Sequence, residues 1–281
     1  LLKKKKIQFF DKIDQVVEYG KIDIILITTP YGERIKIFNK IKNLCKAIFF
    51  EKPYARNLKD HIYFTENFNS HYMTVGYTRR KMGIVQTIKK IIEEKIFGEL
   101  ESVKIFFGDI HYKFDSFRSN VQKSGGGIFL EAGTHWVDCV LFTTNAKEIL
   151  NFSSNKKESS SLDIESSGRF EFINHEEKKL KCEFLMSILQ NTSNKIEYNF
   201  KNCSIDLYLF EDESSLKIKN KNNTDLLIKD NELLNLPYNS LDVTYSYWND
   251  FIESIKSQKK SEISLDAFFL TTKIVEMFYE N

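Results

Sequence analysis

Ile22-Asp23-Ile24-Ile25-Leu26-Ile27-Thr28-Thr29-Pro30 is the stretch whose reading decides the fold. It is almost continuously apolar and stops at Thr-Thr-Pro, the pattern of a parallel strand buried on both faces. Upstream, residues 7–10 read as a short strand and residues 11–19 as a helix. Downstream, Ile35, Ile37, Phe38, Ile41 and Leu44 mark the apolar side of a helix. A second buried strand covers residues 47–50, a helix residues 58–68 and a third strand residues 73–77. Strand, helix, strand, helix, strand with short loops is one half of a doubly wound α/β domain.

The pattern changes after Arg80. A helix is expected over residues 84–96, stopped at Gly98. Alternating stretches follow at residues 103–107, 168–173, 180–188, 195–200, 204–210 and 216–219. Clusters of Ser, Asn and Lys separate them, as in an antiparallel sheet joined by turns. The Ser/Lys/Asn-rich segment 153–161 reads as a loop. Two helices close the chain, residues 243–255 and, capped by Ser264, residues 265–278.

Bulk properties exclude several classes. With 41 Lys and Arg against 39 Asp and Glu, the chain lacks the charge footprint of a nucleic-acid binder. Its 281 residues suffice for two domains. Cys45, Cys139, Cys182 and Cys203 form no CxxC pair and have no histidine at metal-ligand spacing, so no metal site is expected. They read as reduced thiols of a cytoplasmic protein. No apolar run approaches the ~18 residues of a membrane span, so no membrane partner is expected. The run Lys3-Lys4-Lys5-Lys6 reads as a solvated tail.

Two short motifs carry the chemistry. Glu51-Lys52-Pro53 follows a buried strand, and ligands of open α/β sheets bind at the carboxyl ends of strands. Thr28, Thr29 and Pro30 lie at the equivalent end of the neighbouring strand. Gly125-Gly126-Gly127 permits positive φ or a close backbone approach to a ligand. Glu131 and His135 are four apart and share a face if that stretch is helical. A carboxylate beside an imidazole orients it and raises its basicity, the arrangement of general-base catalysis. A capped helix in which His135 makes only a buried hydrogen bond is the other reading of the same residues. A lysine, a carboxylate and an imidazole together suit an enzyme that moves a proton while a hydride leaves the same carbon.

In this order the motifs resemble the glucose–fructose oxidoreductase and inositol dehydrogenase family (Gfo/Idh/MocA). Residues 23–30 look like its D-x-(hydrophobic)-T-P strand, and Glu51-Lys52-Pro53 like its most recognisable tripeptide. Val75-Gly76-Tyr77 with Arg79-Arg80 resembles its last cofactor-domain strand, and Phe97-Gly98-Glu99-Leu100 the entry into its second domain. Phe117-Arg118, the triple glycine, Glu131, His135 and Asp138 follow its W/F-R … GGG … D-x-G-x-H-x-x-D stretch, and residues 263–267 also fit. The resemblance implies a partial doubly wound (Rossmann) parallel sheet followed by an α+β domain with a large, mostly antiparallel open sheet. Residues 1–80 would be the C-terminal part of a dinucleotide-binding domain, and residues 81–281 a substrate and oligomerisation domain. It implies NAD or NADP as cofactor, with Thr28, Thr29, Pro30, Glu51 and Lys52 lining it. Lys52, Glu131 and His135 would be catalytic: His135 moves the hydroxyl proton, Lys52 tunes it and Glu131 orients it. Arg80 and Arg118 would reach a sugar or polyol substrate, with a structural salt bridge as the other reading of each. Homo-oligomer contacts would form through the C-terminal sheet.

Three departures stand out. Glu131 stands where many members have aspartate, and Arg34 where a histidine is frequent. The G-x-G-x-x-G turn is absent, so two strand-helix units of about 30 residues each are expected to be missing ahead of residue 1. In the strand order 3-2-1-4-5-6, strand 22–29 would then be an exposed apolar edge. The chain is expected to be a fragment that binds NAD(P) weakly and tends to aggregate. The first functional reading is an NAD(P)-dependent oxidoreductase acting on a secondary alcohol or ketone of a sugar, polyol or sugar derivative. The alternative is a non-catalytic relative or decayed fragment serving as a binding or oligomerisation module.

Overall fold

The structure, a computed structural model, describes residues 8–209, 215–220, 225–229 and 240–280. The chain opens with α1 (Ile13–Tyr19), β1 (Ile22–Ile27), α2 (Arg34–Ile41), β2 (Cys45–Phe50), α3 (Leu58–Asn67) and β3 (Met73–Val75). The three strands form a parallel sheet in the order β1-β2-β3. The register pairs Ile27 with Phe50 and Phe50 with Val75, so all three strands end at one level. Asn57 starts α3 by accepting a 2.8 Å hydrogen bond from the Asp60 amide, which satisfies one of the helix's open donors.

Residues 8–10, expected to belong to a strand, form none; Ile7 of that stretch lies outside the described residues. Phe9 is 86% exposed, and a strand without a neighbour leaves its backbone groups unpaired. The expected apolar edge is present: β1 closes one side of the sheet, with Leu26 51% exposed.

After α4 (Gly83–Glu93) come β4 (Leu100–Gly108), α5 (Val121–Ser124), a π-helical turn (Phe129–Gly133) and α6 (Thr134–Thr143). Seven further strands are β5 (Ala146–Ser159), β6 (Leu162–Asn174), β7 (Lys179–Ser187), β8 (Lys195–Phe200), β9 (Cys203–Tyr208), β10 (Ser215–Asn220) and β11 (Asp225–Lys229). Helices α7 (Ser240–Ser257) and α8 (Phe269–Glu280) finish the chain. Strands β4 to β11 build one sheet in the order β11-β10-β9-β8-β4-β7-β6-β5, antiparallel except for the β4–β7 pair. The expected fold class, a partial doubly wound sheet followed by a large open sheet, is what the chain adopts.

The segment read as a loop, 153–161, is a correction. Residues 153–159 continue β5, paired Asn155 to Ser167 and Lys157 to Glu165, and Ser160 and Ser161 turn the hairpin with φ of 51° and 63°. β5 is an edge strand, and edges carry lysine and polar residues that discourage further pairing, so their composition mimics a loop. The last helix also differs. Leu265–Phe268 is a 3-10 turn ahead of α8, and Ser264 makes no cap; its hydroxyl accepts from the Ser261 amide at 2.9 Å.

One core lies under the large sheet and includes Val103, Ile105, Phe172 and Met186 with Ile84, Ile88 and Val140. Phe129 stacks on Phe278 at 3.9 Å there, fastening the π-turn to α8. A second core wraps the parallel sheet around Phe38, Phe50 and Phe64, and Tyr247, Phe251, Ile263, Leu265 and Phe268 return from the end of the chain to complete it. Each such fully buried side chain contributes about 1.5–3 kcal/mol relative to exposure, so the returning segment holds the two halves together. Among the described residues no helix is long and apolar enough to cross a membrane, and no group of His, Cys, Asp or Glu could hold a metal ion.

Candidate active site

The level ends of β1 and β2 bring the two strand-end motifs side by side. The Glu51 amide donates to the Ile27 carbonyl at 2.9 Å, extending the ladder as the chain leaves β2. Arg34, buried on α2, then ties the turns together. Its Nε donates to the Thr29 carbonyl at 3.0 Å and its Nη1 to the carbonyls of Glu51 and Pro53. Burial pulls its pKa down to about 10 against the attraction of Glu51, so the guanidinium stays charged at neutral pH. Sequence reasoning marked Arg34 only as a departure from a frequent histidine; the structure shows it clamping the peptides on either side of Lys52. Thr28 is exposed, while Thr29 and Pro30 are half-buried. The Thr29 Oγ1 is sealed from solvent without a hydrogen-bond partner.

From this end Lys52 crosses to the second half of the molecule. Its Nζ donates to the Glu131 carbonyl at 2.8 Å and lies 3.3 Å from Glu131 Oε1. Glu131 sits in the π-turn, whose i→i+5 spiral is wider than an α-helix and is frequent at functional sites. Arg118 Nε donates to the same Oε1 at 3.1 Å. The Glu131 carboxylate therefore lies between two cations. No hydrogen bond joins it to His135, so the expected orienting contact is replaced by one to Lys52. The carboxylate is instead taken up by Lys52 and Arg118.

His135 lies at the start of α6 with its ring edge-on to Tyr77, centroids 5.5 Å apart. Its Nδ1 is sealed from solvent and has no hydrogen-bond partner. Burial, then the charges of Lys52 and Arg79, hold its pKa well below the ordinary histidine range. The imidazole is therefore neutral at physiological pH. The buried hydrogen bond of the alternative reading is absent at Nδ1.

The triple glycine is a seam and not a ligand cradle. Gly125 takes φ +85°, and a Cβ there would stand 3.1 Å from the Tyr31 ring. A Cβ on Gly126 would stand 2.1 Å from the Tyr279 hydroxyl, and one on Gly127 2.1 Å from the Asp163 carbonyl. Each glycine admits a different group from another part of the fold.

Arg80 forms a structural salt bridge, the other of its two readings. It is 3% exposed and spends its donors on protein: Nε and Nη2 on Asp138 at 2.8 and 2.6 Å, Nη1 on the Glu262 carbonyl and Nη2 on the Ala267 carbonyl. Its donors therefore fasten the two halves. The adjacent Arg79 is the one whose charge acts on His135, with its guanidinium 5.1 Å from the Trp136 ring centroid. No sequence signal distinguished the two arginines. Tyr112 is a further residue that motif reading missed: burial, then the Glu131 charge, raises its pKa, so its phenol stays protonated near the site.

Residues 85–191 match the family model described as the GFO/IDH/MocA C-terminal domain. This segment is similar to that family's domain. The resemblance read from the motifs is thereby borne out. Over 152 residues the chain is 28% identical to the rhizopine catabolism protein MocA of Rhizobium meliloti, a match covering 52% of this chain and 45% of that protein. The match thus spans less than half the length of that relative. The fold is similar to the aldose-aldose oxidoreductase of Caulobacter crescentus complexed with glycerol, with a TM-score of 0.79 and 14% identity over 95% of this chain and 79% of that one. It is also similar to a levoglucosan dehydrogenase complexed with NADH and levoglucosan, with a TM-score of 0.77 and 16% identity over 96% of this chain and 80% of that one.

Proposed function

We propose that this chain belongs to an NAD(P)-dependent oxidoreductase that moves a hydride between nicotinamide and a secondary alcohol or ketone of a sugar, polyol or sugar derivative. One observation carries the reading: Lys52, at the carboxyl end of a parallel strand, meets Glu131 in a π-turn that leads directly to a neutral, partly enclosed His135. The residues at the strand ends suit a nicotinamide cofactor, because the Thr29 hydroxyl is buried without a partner where an amide or ribose group would supply one. Thr28, Thr29, Pro30 and Glu51 would hold it, and when bound it supplies the hydride acceptor or donor.

The chain's own residues do the rest. The Lys52 ammonium polarises the reacting oxygen, and its charge keeps the resting imidazole unprotonated. The neutral imidazole accepts the hydroxyl proton as the hydride departs and returns it in the reverse direction. Glu131 holds Lys52 and Arg118 in place, and Arg118, partly exposed at the rim, faces the substrate side. Residues 1–80 and 81–281 act in this reading as cofactor and substrate parts. The polar open face of the large sheet, which carries Lys104, Ser167, Arg169 and Glu183 around a depression of about 560 Å³, serves as the contact between copies.

The test is a fluorescence titration with NADH and NADPH, followed by nicotinamide-coupled assay on a panel of sugars and polyols. Binding with turnover that falls by about 10²–10⁴ in His135→Ala supports the reading. Absence of binding by the complete gene product would sink it in favour of a non-catalytic module, a reading favoured by the Glu131 carboxylate's engagement with Lys52 and Arg118 instead of His135.

A further inference from the structure

We infer that Asp163 and Tyr279 are positioning residues of the candidate site, closing a ring of contacts that sets where the π-turn presents Glu131 to Lys52. The inference rests on the functional reading above only for the purpose of that placement. The ring itself is visible in the contacts. Asp163, at the start of β6, is 1% exposed. Its Oδ1 accepts from the Gly127 amide at 2.7 Å and the Tyr279 hydroxyl at 2.8 Å. Its Oδ2 accepts from the Phe129 amide at 2.7 Å and the Ser166 hydroxyl at 3.1 Å. Two of the four donors are amides at the entry of the π-turn, groups that a helix start leaves without internal partners. A buried carboxylate with four donors is costly to disturb, because any donor that loses it stays buried and unsatisfied. Burial raises the Asp163 pKa while these donors pull it back.

Tyr279, on α8, connects this anchor to the other half of the molecule. The Arg56 guanidinium lies over its ring at 4.4 Å from the centroid. Arg56 follows Lys52 by four residues, within the same strand-end loop. The path therefore runs from Arg56 to Tyr279, to Asp163, to the Gly127 and Phe129 amides, along the π-turn to Glu131, and back to Lys52. Both ends of one loop are tied to one short helical turn. The glycines follow from this. Gly126 makes room for Tyr279 and Gly127 for the Asp163 backbone, so two positions that read as places for a ligand are places for the anchor.

The ring fixes the position of Lys52 relative to Glu131, and the reactivity of the Lys52 amine reports that position without any substrate or cofactor. The experiment is limited acetylation of the full-length protein with acetic anhydride, each lysine followed by peptide mass spectrometry. Tyr279→Phe removes one donor from Asp163 and keeps the ring, so Arg56 retains its seat. Lys52 should acetylate several-fold faster in this variant, while surface lysines such as Lys40 and Lys46 keep their rates. Tyr198→Phe is the matched control: it deletes another buried phenol hydroxyl, bonded to Thr143 at 2.9 Å, in the core under the same sheet. It should lower stability without changing the Lys52 rate. An unchanged Lys52 rate in Tyr279→Phe, or an equal rise in Tyr198→Phe, would overturn the inference. Arg56→Gln, which removes the cation from the Tyr279 ring, should raise the Lys52 rate in the same direction, and an unchanged rate there would also count against the inference. Failure of the oxidoreductase reading shows separately, as a lack of nicotinamide binding in a protein whose Lys52 still responds.

Discussion

Among the described residues, the ion pairs Arg80–Asp138 and Lys52–Glu131 both join the halves of this molecule, and they differ in almost everything except charge. Arg80–Asp138 is a sealed, two-pronged pair with side chains 4% and 1% exposed and a shortest distance of 2.6 Å. Lys52–Glu131 is a single, longer contact of 3.3 Å with side chains 16% and 17% exposed. Both acidic partners come from one continuous helical stretch, Asp138 from its middle and Glu131 from its opening π-turn. In the first pair every prong has a partner: Thr271 also donates to Asp138, and the Arg80 guanidinium lies 4.0 Å from the Phe268 ring centroid. In the second, the lysine is a movable point charge that can turn toward a ligand. Depth along one helix therefore separates a sealed fastener from a half-open contact.

The largest effect expected of this contrast is on stability. Arg80→Ala leaves Asp138 buried and uncompensated, which should cost about 3–5 kcal/mol in urea denaturation. A loss under about 1 kcal/mol would erase the distinction between the two pairs. Next come the histidines, which repeat the contrast. His61 is buried by α3 with its Nδ1 bonded to Tyr54, and burial lowers its pKa to about 4. His135 is held neutral at the site with its Nδ1 unbonded. A histidine with a depressed folded pKa binds fewer protons than the unfolded chain between about pH 6.5 and its folded value. Its stabilising effect is therefore complete above about pH 6.5 and is lost as pH falls toward 4, on the order of 3 kcal/mol for His61. Urea midpoints from pH 7 to pH 4 should decline in the natural protein and decline less in His61→Gln.

Gly127→Ala should cost about 1–3 kcal/mol, since the added methyl meets the Asp163 backbone, which cannot move as a side-chain tip would. Thermal melting measures it, and a neutral result would show that the seam is loose. The smallest effect is expected for Lys52→Ala, about 0–1 kcal/mol in the same urea assay. A loss as large as that of Arg80→Ala would make Lys52 a second fastener and remove the main support for its catalytic role.

Much of this was legible in the residues. The apolar runs 22–29 and 47–50 and the helical spacing between them place the parallel sheet, because a strand buried on both faces needs few polar side chains. The alternation in residues 180–188 and 195–200 likewise marks half-buried strands. The edge strand at 153–159 was not legible, because its polar composition serves solvent and matches that of a loop. At the site, Lys52, Glu131 and His135 are indeed neighbours in space. Which of Arg79 and Arg80 would pair with Asp138 was invisible, since adjacent identical side chains differ only in which direction the backbone points them.

The sequence by itself determined the alternation of the three parallel strands with their helices, the presence of a second, antiparallel region and the residue types available for proton transfer. These follow from local periodicity and from turn chemistry, which act over a few residues. Only the tertiary structure decided that Glu131 serves Lys52 instead of His135, that Arg80 is a fastener, and that the triple glycine receives Tyr31, Tyr279 and Asp163. Each of those outcomes depends on groups far apart in the chain meeting in a low-dielectric interior, where the partner a charge finds, and how deeply both are buried, settles what the charge can do.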